Sequence, residues 1–480
     1  MTDEREGPAA AIAALPPQIP LRSLTPHEAV RCWDEVALGY SREEAMAEAQ
    51  RVRDLDFTAS VARCPFEIDI PRFIGQIADG NFDAALATIR ESHPFAGTFG
   101  RHCHKYCEFP FTGERRMATA DPTKRAPVIS ALERAAGDHG IRKPADFRPG
   151  APTGRRVALV GAGSAALMCA WELRRMGHAV DIFERDIVTA GLLRTGYPSF
   201  RMSKPMVIEE HDPTEWGAAL YFGHPIDGPE LARMVEEYDA VFVGIGRTPV
   251  VSLGVEGDEL EGVITGLDFL RGQWLGPAVP IGRRVIVVGG GFTALDVTRA
   301  VLRRGSEATL AYRRGIREVS GGAHFARILE EEGATLRFFL EPVRVIGEEG
   351  HVVAVDMART ELGEPIAGGV PDLRRIPNTE ERIPVDTVIR CIGETIEAGW
   401  VEEAVGIRRT PTGLIEVDPV TKQTANPKVW SGGDSIGSRG NETAAYDGLC
   451  AARAMDATFR GELSAWRVQA EPLMKDMRFW

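Results

Sequence analysis

The chain has 480 residues, room for two or three domains, and an ordinary globular composition with 44% hydrophobic and 26% charged residues. A net charge of −13 argues against nucleic acid as a partner. No apolar run approaches the roughly 20 residues that span a bilayer, and the acidic N-terminus does not resemble a signal peptide. The seven cysteines are scattered and include no C-x-x-C pair, which predicts a cytoplasmic protein and argues against a disulfide reductase.

The N-terminal part of the chain predicts an arm followed by a helical domain. Residues 1–24 are rich in Ala and Pro, which is typical of a loose arm. Residues 25–150 predict helices, and Ser41 with Glu44 has the spacing of a capped helix start. A stretch rich in Pro and Gly at 148–154 predicts a linker to the next domain.

An apolar strand, a glycine-rich turn and the start of a helix follow this linker. The turn has the form G-x-G-x-x-A from Gly161 through Gly163 to Ala166. In dinucleotide sites the first glycine allows the tight turn, the second lets the backbone approach the pyrophosphate, and the third small residue lets helix and strand pack closely. Glu184 lies 23 residues beyond Gly161, where a carboxylate can bind an unphosphorylated ribose.

The same pattern returns about 128 residues later, from Gly289 through Gly291 to Ala294. Two such units in one chain indicate two dinucleotide sites, between which electrons usually pass. No carboxylate stands at the end of the following strand; Arg313 and Arg314 stand there and suit a 2′-phosphate. We therefore predict FAD at the first turn and NADPH at the second. The alternative is that the two arginines are a solvated strand end.

Two further patterns lie near the C-terminus. A G-G-D turn ending at Asp434 follows a short apolar strand and precedes a helix of small residues that starts at Ala444. Such a turn is common in loops, but after two nucleotide turns it fits the segment that closes an FAD site. The last segment, 462–480, has apolar residues at near-helical spacing. It is either a helix folded onto its own core or a docking tail for a partner subunit.

Together these motifs resemble the small (beta) subunit of glutamate synthase and its relatives, which include the NADPH-side module of dihydropyrimidine dehydrogenase. The resemblance extends from about residue 25 to 461. It implies an α/β fold with two Rossmann-like dinucleotide-binding domains, the NADPH domain inserted in the FAD domain, behind an α-helical domain of degenerate iron–sulfur type. The expected bounds are 151–280 and 389–461 for the FAD-binding domain and 281–388 for the NAD(P)H-binding domain.

The turns and the resemblance together give a set of expected binding residues. Hydride would pass directly between the cofactors, so no catalytic acid or base is expected from the protein. The residues expected to bind FAD are Gly161, Gly163, Ser164, Ala166, Glu184, Arg185, Leu193, Arg194, Gly246, Gly433, Asp434 and Thr443. Those expected to bind NADPH are Gly289, Gly291, Phe292, Thr293, Arg313, Arg314 and Gly393. Phe292 departs from the family, which usually has asparagine there.

A larger departure concerns iron–sulfur clusters. The family's helical domain holds two clusters through two groups of cysteines, and only Cys64, Cys103 and Cys107 remain here. The residues that stand at the other cysteine positions are Val52, Leu55, Ser60, Phe99 and Phe111. Three thiolates cannot supply two clusters, so we predict a domain that keeps its shape and holds neither clusters nor a metal ion.

The replacements and the remaining cysteines each suggest a structural role. Most replacements are apolar and could fill the volume that a cluster would leave. The remaining cysteines are then buried small residues. The alternative is a single metal site formed by Cys103, Cys107 and either His102 or His104.

Three functions fit the sequence. In the favoured one, the chain is an electron-input subunit that takes hydride from NADPH onto FAD. It then passes electrons to a partner protein that carries a redox centre and docks on residues 25–150 and the C-terminal tail. The second is a self-contained FAD enzyme that reduces a small acceptor. The third is a non-catalytic assembly subunit with a structural FAD.

Overall fold

A computed structural model of the chain describes residues 12, 14–112, 125–143, 147–247, 251–365, 371–438 and 440–476. Its N-terminal part is helical apart from an antiparallel ribbon of β1 (Arg22–Ser23) and β2 (Ala37–Gly39). The helices are α1 (Pro26–Ala29), α2 (Arg42–Val52), α3 (Thr58–Arg63), α4 (Ile70–Ala78), α5 (Phe82–Arg90), α6 (Ala96–His102), α7 (Phe109–Thr112) and α8 (Ile129–His139), with a 3₁₀ turn at Tyr106–Glu108.

The predicted capped start of α2 is confirmed. The Ser41 hydroxyl accepts from the Glu44 amide, and the Glu44 carboxylate accepts from the Ser41 amide. The segment before α1 is tied to the same helix, because the amide of Ile19 donates to Glu48 (3.0 Å) and the hydroxyl of Tyr40 donates to the Ile19 carbonyl (2.7 Å). Part of the expected loose arm is thus held by the helical domain, while residues 1–11 and 13 lie outside the described residues.

Two parallel five-stranded sheets follow, which confirms the α/β fold with two Rossmann-like units. The first sheet contains, in spatial order, β16 (Val429–Ser431), β6 (Ala240–Val243), β3 (Arg156–Val160), β4 (Ala179–Glu184) and β5 (Ala219–Phe222). Its helices are α9 (Ser164–Arg175), α10 (Leu192–Thr195), α11 (Lys204–Glu210), α12 (Gly228–Glu237) and α17 (Asn441–Phe459), with 3₁₀ turns at Pro213–Trp216 and Gly433–Ile436. Strand β16 comes from the end of the chain, so the sheet is completed only after the second unit.

Along the chain, the second sheet comes between β6 and β16 of the first sheet. It contains, in spatial order, β10 (Thr335–Phe338), β9 (Glu307–Tyr312), β8 (Arg284–Val288), β15 (Thr387–Arg390) and β7 (Val263–Thr265), and its helices are α13 (Gly266–Arg271), α14 (Phe292–Arg303) and α15 (Gly322–Glu331). Strand β7 belongs to this sheet because it pairs in parallel with β15. The second sheet thus begins before the expected bound at residue 281 and, through β15, ends after the expected bound at residue 388.

An antiparallel sheet is inserted before β15. It is formed by β11 (Leu340–Glu348), β12 (His351–Pro365), β13 (Pro371–Arg375) and β14 (Glu381–Pro384). The remaining helices are α16 (Gly399–Val405) and α18 (Leu463–Asp476). Within the described residues, no helix combines the length and the apolar character that crossing a bilayer requires.

Helices α9 and α17 cross with their backbones in contact, and this crossing positions the site. A Cβ atom on Gly448 would lie only 1.9 Å from the carbonyl oxygen of Ala165, so only glycine fits there. The N-termini of both helices reach the same edge of the first sheet, where the Ser164 hydroxyl contacts the Asn441 side chain. The N-termini of α9 and α17, each at the positive end of a helix dipole, therefore lie side by side at this edge.

Candidate cofactor sites

The first glycine turn opens onto a cleft of about 590 Å³. Its walls come from the turn, the end of β4, the segment around α10, the loop after β6 and the start of α17. Nine of the twelve residues expected to bind FAD line it: Gly161, Gly163, Ser164, Glu184, Arg185, Leu193, Gly246, Gly433 and Asp434. Its volume lies within the range of small-molecule and cofactor pockets.

Two glycines shape the backbone of the first turn for different reasons. Gly161 has φ +98°, and a Cβ atom there would lie 2.4 Å from the carbonyl oxygen of Gly244. Gly163 has an ordinary φ of −79°, and a Cβ atom there would meet no protein atom within 4 Å. The first glycine is therefore required by the fold, whereas the second keeps open the space in front of the helix end, where a pyrophosphate would lie.

Glu184 joins the end of β4 to the turn. One carboxylate oxygen accepts from the amide of Ala162 (2.7 Å), and the other accepts from the amide of Asp186 (2.8 Å). Burial raises the pKa of the Glu184 carboxyl, while these two amide donors oppose the rise. The carboxyl group lines the cleft and has lone pairs left for a ribose hydroxyl.

The opposite wall of the cleft is the G-G-D turn with the start of α17. The amide of Gly433 donates to Asp447 (3.1 Å), and the guanidinium of Arg247 donates to the carbonyl of Asp434 (3.0 Å). Burial raises the pKa of the Asp434 carboxyl. The buried amide nitrogen of Asn441 has no acceptor among the described residues, and it lies on a wall of the cleft. A ligand oxygen would satisfy it.

Three residues expected to bind FAD do not line the cleft. Ala166 is fully buried and faces Gly244, so it serves the close packing of α9 on the sheet. The carbonyl of Arg194 accepts from Lys204, and the hydroxyl of Thr443 donates to the carbonyl of Gly440 inside the first turn of α17. Several cleft residues were not found from the sequence: Asp186, Tyr197, His224, Arg247, Glu394, Glu397, Trp400, Ser438 and Asn441.

The second glycine turn repeats the backbone of the first. Gly289 has φ +145°, and a Cβ atom there would lie 2.2 Å from the carbonyl oxygen of Cys391. Gly291 again has φ −79° and open space where a side chain would be. Gly393 follows β15 on the same side, with φ +113° and no atom within 4 Å of a Cβ position. The loop before α15 is bonded to this turn, because the amide of Ser320 donates to the Gly290 carbonyl (2.9 Å).

Positive side chains follow the end of β9. Tyr312 lies against Gly290, where a Cβ atom would be 2.5 Å from its ring. Arg313 is exposed, and Arg314 is half-buried with an Nε group that has no acceptor among the described residues. Such an unsatisfied donor fits a phosphate ligand. Phe292, the first residue of α14, is 38% exposed, and its ring packs edge-on against Phe325.

The two sites approach each other at Arg201. Its guanidinium lies 5.3 Å from the ring centre of Tyr197, on the wall of the first cleft, and 5.5 Å from the ring centre of Phe292, at the second turn. It also donates to Asp296 of α14 (2.8 Å). One largely buried side chain thus lies between the wall of one site and the helix start of the other.

The helical domain has a small cavity at the three remaining cysteines. Cys64, Cys103 and Cys107 line a space of about 20 Å³, which is enough for roughly one water molecule. Phe66 and Phe99 lie stacked on its wall with ring centres 5.1 Å apart. Burial raises the pKa of the Cys64 thiol to about 11, and it also raises the pKa values of the Cys103 and Cys107 thiols. Three cysteines line this cavity, fewer than the four thiolates that a cubane iron–sulfur cluster takes, and its volume is too small for such a cluster.

The alternative of a single metal site at Cys103, Cys107 and either His102 or His104 can be compared with the structure. In the part of the chain that the structure describes, no three His, Cys, Asp or Glu side chains are placed to hold a metal ion. His104 contacts the buried carboxylate of Glu442, and His102 accepts from Arg201 (3.3 Å). Both histidines are therefore engaged away from the cysteines.

Comparison with known families gives three matches along the chain. A family described as dihydropyrimidine dehydrogenase domain II, 4Fe-4S cluster, matches residues 29–143. An NAD(P)-binding Rossmann-like domain matches residues 159–238, and a pyridine nucleotide-disulphide oxidoreductase family matches residues 220–448. The fold and these matches define an oxidoreductase with two dinucleotide-binding domains.

Similar proteins narrow the class. The glutamate synthase [NADPH] small chain of Halomonas elongata is 31% identical over 86% of this chain and 90% of its own length. The NADP(+)-dependent formate dehydrogenase subunit beta of Moorella thermoacetica is 31% identical over 90% of this chain, which spans 66% of that protein. The NADPH-Fe(3+) oxidoreductase subunit beta of Geobacter sulfurreducens is 32% identical over 75% of this chain, which spans 54% of that protein. The chain belongs to the glutamate synthase small chain-like family of FAD/NAD(P)H oxidoreductases.

Solved structures agree on the fold. FprA of Mycobacterium tuberculosis matches with a TM-score of 0.53 and 18% identity, over 67% of this chain and 91% of its own. A 2-naphthoyl-CoA reductase complex matches with a TM-score of 0.51 and 18% identity, over 81% of this chain and 49% of its own.

Proposed function

We propose that the protein is the electron-input flavoprotein subunit of a larger oxidoreductase, which takes hydride from NADPH onto FAD and passes electrons to a partner protein. The observation that carries this proposal is the position of Arg201 between Tyr197 and Phe292. It sets the start of α14, where NADPH would bind, beside the wall of the cleft that would hold the flavin. Two sites in contact suit direct transfer.

The protein's part in this reaction is to bind and orient. Gly163, Glu184 and Asn441 would hold FAD, while Gly291 and Arg314 would hold NADPH. When both are bound, the nicotinamide would supply a hydride and the flavin would accept it, so that NADPH would be oxidised and FAD reduced. The two arginines after β9 favour NADPH over NADH through the 2′-phosphate.

The small cavity in the helical domain bears on how electrons leave the flavin. Because Phe66 and Phe99 occupy the space beside the cysteines, we infer that no cluster carries electrons through this domain. A partner must then bring its own redox centre close to the flavin, with residues 25–150 and the tail as its docking surface. The similarity to proteins named as beta subunits supports a partner.

An anaerobic titration of the purified protein tests this proposal. We expect flavin absorption alone in the starting spectrum, no iron by metal analysis even after treatment with iron and sulfide, and bleaching by NADPH at far lower concentration than by NADH. A broad brown absorption that accompanies bound iron would refute the cluster argument.

Two outcomes favour the other functions. A spectrum that stays yellow with both nucleotides would indicate an assembly subunit with a structural FAD. Rapid NADPH turnover with a quinone-like acceptor, with no partner added, would indicate a self-contained enzyme. The favoured function instead predicts fast flavin reduction followed by slow turnover with such acceptors.

A further inference from the structure

Residues 198–203, which we call the junction segment, connect α10 to α11 and contact all three units. The hydroxyl of Ser199 donates to the carbonyl of Trp33 in the helical domain, and the carbonyl of Phe200 accepts from the amide of Val36 (2.9 Å). The ring of Phe200 also belongs to the core of the second unit. Movement of one unit would therefore be transmitted to the others through the junction segment.

One stripe of α14 faces the junction segment. Phe292, Asp296, Arg299 and Arg303 recur at helical spacing on one face. Arg299 and Arg303 lie over the ring of Phe200, at 5.0 and 4.1 Å from its centre, and both bind Glu332. Nearer the glycine turn, Phe292 and Asp296 contact Arg201. The C-terminal half of the helix is thus anchored by one pair of arginines, and its N-terminal half by Arg201.

Arg201 is largely buried, and each of its two amino groups makes a hydrogen bond. Its side chain is 13% exposed and that of Asp296 is 7% exposed, so the ion pair is largely desolvated. Its other amino group donates to His102 of the helical domain, whose ring packs edge-on against Tyr197, 4.9 Å between ring centres. A planar guanidinium is needed to reach an acceptor on each side while lying between two aromatic rings.

We propose that Arg201 is a positioning residue for hydride transfer: by joining Asp296, His102 and Tyr197, it fixes the start of α14 relative to the flavin cleft. This inference rests on the proposed function. The pyrophosphate of NADPH would lie on the N-terminus of α14, so a shift of this helix end moves the nicotinamide against the flavin. A misplacement of about 1 Å can cost roughly 100-fold in rate.

The test compares Arg201→Met with Arg201→Lys and with Arg299→Met, all purified with FAD. Arg299 is the matched control, because it is also a largely buried arginine held by an ion pair, but it binds Glu332 and lies farther from the turn. We expect Arg201→Met to slow flavin reduction by NADPH about 10- to 100-fold, with the dissociation constant of NADP⁺, measured by calorimetry, changed less than about threefold. Arg201→Lys should recover part of the rate, and Arg299→Met should lower the unfolding temperature but keep the rate within about twofold.

Equal slowing in Arg201→Met and Arg299→Met would overturn the inference, as would a loss confined to NADP⁺ affinity. If Arg201→Met does not fold, Asp296→Asn weakens the same contact and should slow reduction with NADP⁺ affinity retained; an unchanged rate there overturns the inference. If NADPH does not reduce the wild type, the proposed function fails and a second measurement remains. NADP⁺ should then shift the flavin spectrum of the wild type and not of Arg201→Met, and equal shifts would overturn the inference.

Discussion

The two glycine turns have nearly the same backbone. Strands β3 and β8 both have five residues, α9 and α14 both have twelve, and Gly163 and Gly291 both have φ −79° in front of open space. In each turn a Cβ atom on the first glycine would collide with a carbonyl oxygen of a neighbouring segment, that of Gly244 or Cys391. The turns therefore offer a pyrophosphate the same surface.

The difference lies at the end of the next strand. The first unit has Glu184 there, which accepts from the amide of Ala162 and reaches the cleft. The second has Tyr312 at the equivalent place, whose ring lies against Gly290, and two arginines follow. In the proposed function, the turn would bind what the two nucleotides share, while the strand end would distinguish their riboses.

The largest effect should come from filling the open space of one turn at a time. Gly163→Val has an allowed backbone and places its side chain where a pyrophosphate would lie, so we expect a folded, colourless protein without FAD. Gly291→Val should keep FAD and lose NADP⁺ affinity by more than about 100-fold. Visible absorption and calorimetry measure the two results.

Gly75→Val is the matched control for both glycine variants, because a Cβ atom on Gly75 also meets no atom within 4 Å and lies in α4, outside both sites. It should keep both ligands. A yellow Gly163→Val protein, or a Gly291→Val protein with normal NADP⁺ affinity, would show that the pyrophosphates do not lie on these turns.

The strand end of the second site should give the next largest effect. Arg313→Gln combined with Arg314→Gln removes the donors for the 2′-phosphate, so the dissociation constant of NADPH should rise about 30-fold while that of NADH stays unchanged. Arg327→Gln is the control, since it removes an exposed arginine of α15 in the same unit. An equal loss for both nucleotides would mean that the arginines do not read the 2′-phosphate.

The strand end of the first site should give a smaller change. Glu184→Gln turns one accepting oxygen into a donor facing a backbone amide, so FAD should bind about tenfold more weakly. Asp181→Asn is the matched control on the same strand, because its carboxylate binds Arg156 and Tyr238 instead of the turn. Equal FAD affinity in wild type and Glu184→Gln, from fluorescence titration of the apoprotein, would remove this carboxylate from the site.

The sequence predicted the features that lie within one short segment and missed those that several segments form together. Each turn and each strand end is a short run of consecutive residues, so local chemistry predicted their positions. Tyr197 and Glu394 line the cleft as well, but they come from segments that only the completed sheet brings together. Arg201 carries no local signal, because its partners His102 and Asp296 belong to two other units. The stacking of Phe66 on Phe99 beside the cavity likewise depends on the packing of several helices.

The last expected effect is on stability and not on ligand affinity, and it concerns the segment around α10 that lines the first cleft. Lys204 is buried and donates to the carbonyls of Leu193, Arg194 and Tyr197. Burial, with the nearby charge of Arg194, lowers its pKa from 10.5 to about 7. Between pH 7 and 10.5 the unfolded chain then holds a proton that the folded protein has released, so this lysine makes the free energy of unfolding rise with pH, by up to about 1.4 kcal/mol per pH unit.

Lys204→Met removes this proton difference and should flatten the curve. Urea unfolding of the wild type and the variant across this pH range gives the difference of their free energies of unfolding. The wild type should become more stable relative to the variant as the pH rises above 7. Below pH 7 the difference should be constant, because Lys204 is protonated in both the folded and the unfolded protein. A difference independent of pH would mean that Lys204 keeps an ordinary pKa, and that its charge stays in place over the carbonyls that end α10 at every pH where the enzyme works.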